Sequence, residues 1–169
     1  MTPPTVTLPD RLQVVAWPDP TLERFGHQPG SPYVEGCWVS VLGPSATWAW
    51  QRLARQAVTH PGSHVEVAEL SASLGLGAPH GRHATIYRTL ARLAAFGAAA
   101  PGPDGTLAVR TALPDLAVRH LARAPQSVRA AHHALTGRPL PPPARAPLTP
   151  DPATDPTGVP VTSVPVISA

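Results

Sequence analysis

Residues 63–111 limit the fold more than any other stretch of this chain. Ser63, His64, Val65 and Glu66 match the capping box S-x-x-E. In that motif the Ser hydroxyl takes the N3 backbone N–H and the Glu reaches back to the Ser N–H. The pattern predicts a helix starting at Ser63. Val67, Leu70, Ser71 and Leu74 then recur at i, i+3, i+4 and i+7, the spacing of one buried helical face. Gly75 and Gly77 tolerate the positive φ that a helix C-terminus needs. A second helix is expected over 82–96, stopped by Gly97. On it Ile86, Leu90 and Leu93 cluster within about 60° and predict a core-facing stripe. Thr85, Arg88, Thr89 and Arg92 form a second stripe, about 120° around the helix from the first. Residues 98–100 and 107–111 read as strands around Pro101, Gly102, Pro103, Asp104 and Gly105, which predicts a hairpin with its tip at 102–105.

The flanking segments are read from the same signals. Residues 1–10 are polar and Pro-rich. Leu12, Val14, Val15 and Trp17 predict a strand over 11–17, and the β-formers of Trp38, Val39, Ser40, Val41 and Leu42 predict a second. These two strands are expected to pair and cover one side of the helices. Between them, Pro18, Pro20, Gly26, Pro29, Gly30 and Pro32 read as loop. Gly43 and Pro44 make a break, and Ser45 is a candidate N-cap for a helix over 46–59. Trp50, Leu53, Ala54, Ala57 and Val58 would be its apolar face, with Arg52 and Arg55 toward solvent. Pro61 ends it, since proline cannot continue a helix.

Pro114 fits the first turn of a short helix over 114–123, and Pro125 opens another to about residue 135, with Gly137 as its stop. Leu116, Leu121, Val128 and Leu135 would lie on the apolar sides of these helices, closing the core or forming a homodimer contact. Ten of the 24 prolines fall in the last 31 residues, so the tail is expected to be disordered or partly polyproline II. The expected division is an N-terminal extension over 1–44, a central unit over 45–112, C-terminal helices over 113–137 and a Pro-rich tail over 138–169. The fold class expected is mainly α with a small β component.

Charge is unevenly spread. Residues 1–44 hold two Arg against four acids, residues 45–138 ten Arg against four acids, and residues 139–169 one Arg against two Asp. The positive charge is therefore concentrated in the helical segment, as a nucleic-acid partner would require. All thirteen basic residues are Arg, which with the many Ala, Pro and Gly residues points to a GC-rich coding genome. That bias weakens arguments from Arg count but not from Arg position.

The second stripe suits DNA. Arg makes bidentate contacts to guanine O6 and N7 and also neutralises phosphate. Thr bonds a base edge or packs its methyl on thymine. Arg82 and His83 stand at the amino end, the part of a recognition helix that goes deepest into the groove. Tyr87 lies to one side, with a hydroxyl that could reach a phosphate. In order and pattern the stretch 63–112 resembles a winged helix-turn-helix domain, and the segment is similar to small DNA-binding proteins of GC-rich actinobacteria. The resemblance makes 46–59 the first helix, the stretch from Ser63 helix two, the helix from Thr85 to Leu93 the recognition helix and 98–111 the wing. It implies double-stranded DNA as partner, with Arg82, His83, Thr85, Arg88, Thr89 and Arg92 facing the groove. The wing tip carries Asp104 and no base, so Arg110 on the returning strand is the phosphate candidate there. The role expected is transcriptional regulation, or an accessory in replication or partition. The alternative is a winged-helix protein-interaction module, with the Pro-rich tail as a possible ligand.

Other chemistries find little support. The eight His include the neighbours His80 and His83 and the adjacent His132 and His133, but no Cys or carboxylate completes a tetrahedral metal set. Gly75, Gly77 and Gly81 lack the spacing of a dinucleotide fingerprint, and there is no P-loop or G-x-S-x-G. The single Cys37 excludes an intramolecular disulfide and reads as a small buried hydrophobe. No enzyme activity, metal or cofactor is expected. Trp17, Trp38, Trp48 and Trp50 are expected to fill the contact between the N-terminal strands and the first helix. No run approaches the ~20 apolar residues of a membrane span, and the N-terminal residues lack the basic and apolar regions of a signal peptide. A cytoplasmic protein without membrane association is expected.

Overall fold

The computed structural model describes residues 9–79 and 84–144. Within them the chain is mixed α/β, with about 52% helix and 15% strand, so the helix-dominated expectation holds at that level. Strand β1 spans Arg11–Trp17. Its Leu12 and Val14 are fully buried while Arg11 is exposed, the alternation of a strand with one face on the core.

The expected partner of β1 does not exist as a strand. Trp38 to Leu42 is helical: a π-helical turn at Val34–Trp38 runs directly into helix α2, Val39–Leu42. The reason is visible over a wider window. Val34, Cys37, Trp38 and Leu42 are all buried and recur at three- and four-residue intervals. Burial at that period outweighs the β-preference of the valines, which is a weak and context-dependent term. Residue 36 packs beside Ala131, since a Cβ built at Gly36 would make an ordinary van der Waals contact with the Ala131 Cβ at 3.8 Å. Gly43, at φ +80°, then turns the chain from α2 into the next helix.

The stretch expected to be loop also holds a helix, α1 at Pro20–Phe25. Asp19 caps it, its carboxylate accepting the Leu22 N–H at 3.1 Å, and Pro20 occupies the first turn where no donor is needed. Helix α3 spans Pro44–Thr59 and buries Ala46, Ala49, Trp50, Leu53, Ala54 and Ala57.

Strand β2 is His64–Glu66 and helix α4 is Val67–Ser73. The capping box is therefore not formed. The residue at the N-cap is Glu66, with no side-chain cap, and the Ser63 hydroxyl instead accepts from Gln56 Nε2 at 3.0 Å. Pairing with β1 draws residues 64–66 into extended backbone, in the register Arg11↔Glu66, Leu12↔Val65 and Gln13↔His64. Several ladder bonds outweigh one cap.

Helix α5 spans Thr85–Ala95, inside the expected limits. The hairpin also forms, as β3 at Ala99–Pro101 and β4 at Thr106–Arg110, joined by a tight turn at Pro103–Gly105. The sheet order is β2-β1-β4-β3. The N-terminal strand thus lies between β2 and the hairpin, antiparallel to β2 and parallel to β4. Helices α3 and α5 close over this sheet, around Leu12, Val14, Trp50, Leu53, Ile86, Leu90, Leu93, Leu107 and Val109. The indole N–H of Trp50 donates to the Arg110 carbonyl at 2.8 Å and that of Trp38 to the Pro114 carbonyl at 2.7 Å. Each large ring is thereby buried without orphaning its donor.

The first C-terminal helix is shorter at its start than expected. Residue 113 pairs with residue 27 through His27 N–H to Leu113 O at 2.7 Å and Leu113 N–H to His27 O at 3.0 Å. Those bonds hold the chain extended there, and helix α6 begins only at Val118, spanning Val118–Leu121. Helix α7, Gln126–Thr136, ends at Gly137 in the left-handed conformation, as its sequence predicts. Leu116, Leu121 and Val128 are buried and close the core, whereas Leu135 is exposed. Residues 138–144 are not loose: Arg129 donates to the Pro141 carbonyl and the Ala144 N–H to the Ala122 carbonyl. The rest of the expected tail lies outside the described residues.

Candidate nucleic-acid interface

The helix expected to read DNA has two faces, and the structure redraws the line between them. Ile86, Leu90 and Leu93 are buried, and Thr85, Arg88, Ala91, Arg92 and Ala95 are exposed. Thr89, expected on the exposed stripe, is 6% exposed, and its hydroxyl donates back to the Thr85 carbonyl at 2.8 Å. Helical arithmetic accounts for this. Thr89 lies about 40° from Leu93 and about 60° from Ile86, inside the arc that α3 covers. Arg88 falls at the centre of the exposed arc. Arg82 and His83 lie outside the described residues.

The exposed side chains are not equally available. Arg88 makes one long contact, Nη2 to Thr85 Oγ1 at 3.4 Å. Arg92 is anchored: its Nη2 donates to the Val41 carbonyl at 2.6 Å, and its guanidinium carbon stands 5.3 Å from the centre of the Phe96 ring. A guanidinium has five N–H donors, so that bond leaves others to face solvent. Ala91 and Ala95 between and beyond the arginines keep the surface low enough for another molecule to approach the backbone. Helix α5 contains no acidic residue.

Two expected phosphate contacts are committed elsewhere. The Tyr87 hydroxyl donates to Asp10 Oδ1 at 2.8 Å, and that carboxylate raises the phenol's pKa. Arg110 is built into the scaffold. It pairs with Asp19, donates from Nε to the Gly97 carbonyl at 3.0 Å and lies 4.2 Å over the Trp17 ring. Hydrogen bonding from Arg110 holds the Asp19 carboxyl below its ordinary range. Arg110 therefore ties β4 to the cap of α1 and to the turn after α5. The hairpin is likewise held, since β1 covers the outer edge of β4 and a Cβ at Gly105 would meet Pro9 Cγ at 2.9 Å.

Sequence reasoning misplaced one aromatic. Trp48, expected in the core, is 58% exposed, while Trp50 is fully buried. Positions 48 and 50 are about 200° apart on a helix, so both cannot face the same core. Cys37 is buried as expected, and burial pushes its thiol pKa up. Among the described residues no group of three His, Cys, Asp or Glu could hold a metal ion, and no helix is long and apolar enough to cross a membrane.

No protein-family model, curated protein or solved structure matches this chain.

Proposed function

We propose that the protein binds double-stranded DNA through the exposed face of α5, as a regulator of transcription or an accessory in replication or partition. The reading rests on one observation: an eleven-residue helix that buries Ile86, Leu90 and Leu93 and turns Thr85, Arg88 and Arg92 outward with no acid on any face. Its setting adds support. The order α3, β2, α4, α5, β3, β4 is the order of helices and strands in a winged helix-turn-helix, here with β1 inserted beside the hairpin. In this reading Arg88 is the residue placed to reach a base edge or phosphate, Thr85 sits one turn nearer the helix start, and Arg92 contacts backbone from its anchored position.

The test is fluorescence anisotropy of the full chain with mixed-sequence duplex DNA across a salt series. Binding that weakens with salt, and weakens further on Arg88→Gln, supports the reading. Duplex binding that is indifferent to Arg88→Gln would overturn it.

A protein-docking role is the second reading, favoured by Ala91 and Ala95, which interrupt the arginine face with apolar surface. Retention of a protein partner without retention on a DNA column would favour it.

A further inference from the structure

A second basic surface lies on α3. Trp48, Arg52 and Arg55 occupy i, i+4 and i+7 of that helix and therefore one face of it. With Pro44, Ser45, Ser73 and Leu74 they line an open groove of about 560 Å³ between α3 and the end of α4. The lining holds no carboxylate, and α3 has no acidic residue. Arg55 donates to the Gln51 side chain at 3.3 Å, and among the described residues neither Arg52 nor Arg55 forms an ion pair.

We propose that Trp48, Arg52 and Arg55 form a site for single-stranded nucleic acid, with a base stacked on the indole and successive phosphates on the two guanidinium groups. An exposed indole is a stacking plane for any base, and guanidinium groups clamp phosphate bidentately. A rise of about 1.5 Å per residue sets Arg52 and Arg55 roughly 6 and 10 Å along the helix from Trp48, so the two charges track a strand leaving the stacked base. The groove is open to solvent, which suits a flat ring better than the enclosed anchor of a peptide side chain. The surrounding segment 45–138, with ten Arg against four acids, favours a polyanion. The site is separate from the α5 face, although Val41, which receives Arg92, lies only three residues before Pro44.

The test uses the full chain and three labelled probes: a twelve-residue oligothymidylate, an abasic deoxyribose-phosphate oligomer of the same length, and an acidic peptide carrying one Phe. The oligothymidylate is expected to bind on the order of tenfold more tightly than the abasic oligomer. Trp48→Ala is expected to remove that difference, and Trp48→Phe to keep most of it. Arg52→Gln with Arg55→Gln is expected to lower the salt slope by about 1.4, at about 0.7 for each single-strand phosphate. These side chains are exposed, and an unchanged denaturation midpoint shows that the variants are folded. Equal affinity for the abasic oligomer overturns the proposal and leaves a polyanion patch. Trp48-dependent binding of the peptide, with no Trp48 effect on the oligothymidylate, overturns it in favour of a protein partner. Arg88→Gln should leave oligothymidylate binding intact, so failure of the duplex reading and failure of this one are separable. Loss of oligothymidylate binding on Arg88→Gln instead of Trp48→Ala overturns the assignment to the groove.

Discussion

The Tyr33 hydroxyl lies 2.6 Å from Nδ1 of His132, joining the start of the π-helical turn to α7 across 99 residues of chain. Both side chains are buried. The same phenol oxygen accepts the Leu116 N–H at 2.9 Å. With the phenol donating to it, Nδ1 accepts and His132 is the neutral tautomer protonated on Nε2. On the other side, His27 stacks on the Tyr33 ring at 3.7 Å and bonds Asp115, which also pairs with Arg138.

This arrangement predicts a pH dependence of stability. Burial lowers the pKa of His132, with Arg138, His133 and His27 acting in the same direction and Asp115 opposing them. The folded pKa thus lies below the unfolded value of about 6.5, and between the two the unfolded chain binds more protons. The contribution is complete above about pH 6.5 and is lost as pH falls through the folded pKa. The urea midpoint should hold between pH 8 and 7 and fall toward pH 5. His132→Gln, which keeps an acceptor for Tyr33, should flatten that fall. An equal fall in the variant would assign it to other groups.

Tyr33→Phe should destabilise by about 1–3 kcal/mol, because it leaves the buried Leu116 N–H and His132 Nδ1 without their partner. Chemical denaturation measures it. A change near zero would mean that water replaces the hydroxyl.

Arg110→Ala should lower the denaturation midpoint and leave the salt slope of duplex binding unchanged. Its guanidinium holds Asp19, Gly97 and Trp17 together and has no role at the proposed interface. A slope reduced by about 0.9 would return Arg110 to the phosphate role its place in the hairpin suggested.

Within α5, Leu90→Ala should cost about 2–5 kcal/mol, since Leu90 is 1% exposed in the contact with α3. Thr89→Ala should leave duplex affinity unchanged, because the hydroxyl is turned back to the Thr85 carbonyl. A fall in affinity comparable to that of Arg88→Gln would show that the buried side of the helix is reached.

The signals that survived from sequence to structure are those whose cause is local. Pro44 and Pro61 bound α3, Gly97 and Gly137 end α5 and α7, and the turn at Pro103–Gly105 closes its hairpin, because each depends on the backbone preferences of the residues themselves. The apolar stripe of Ile86, Leu90 and Leu93 was legible for the same reason. What tertiary structure decided is who pairs with whom. Ser63 lost its cap because β1 offered residues 64–66 a ladder. Residues 38–42 became helix because α7 and α3 offered Trp38 and Leu42 a core. The Arg110 guanidinium is held within the fold because Asp19, 91 residues earlier, stands beside it. Each of these outcomes turns on a partner far along the chain, and the energy of a long-range contact is not encoded in the residues on either side of it.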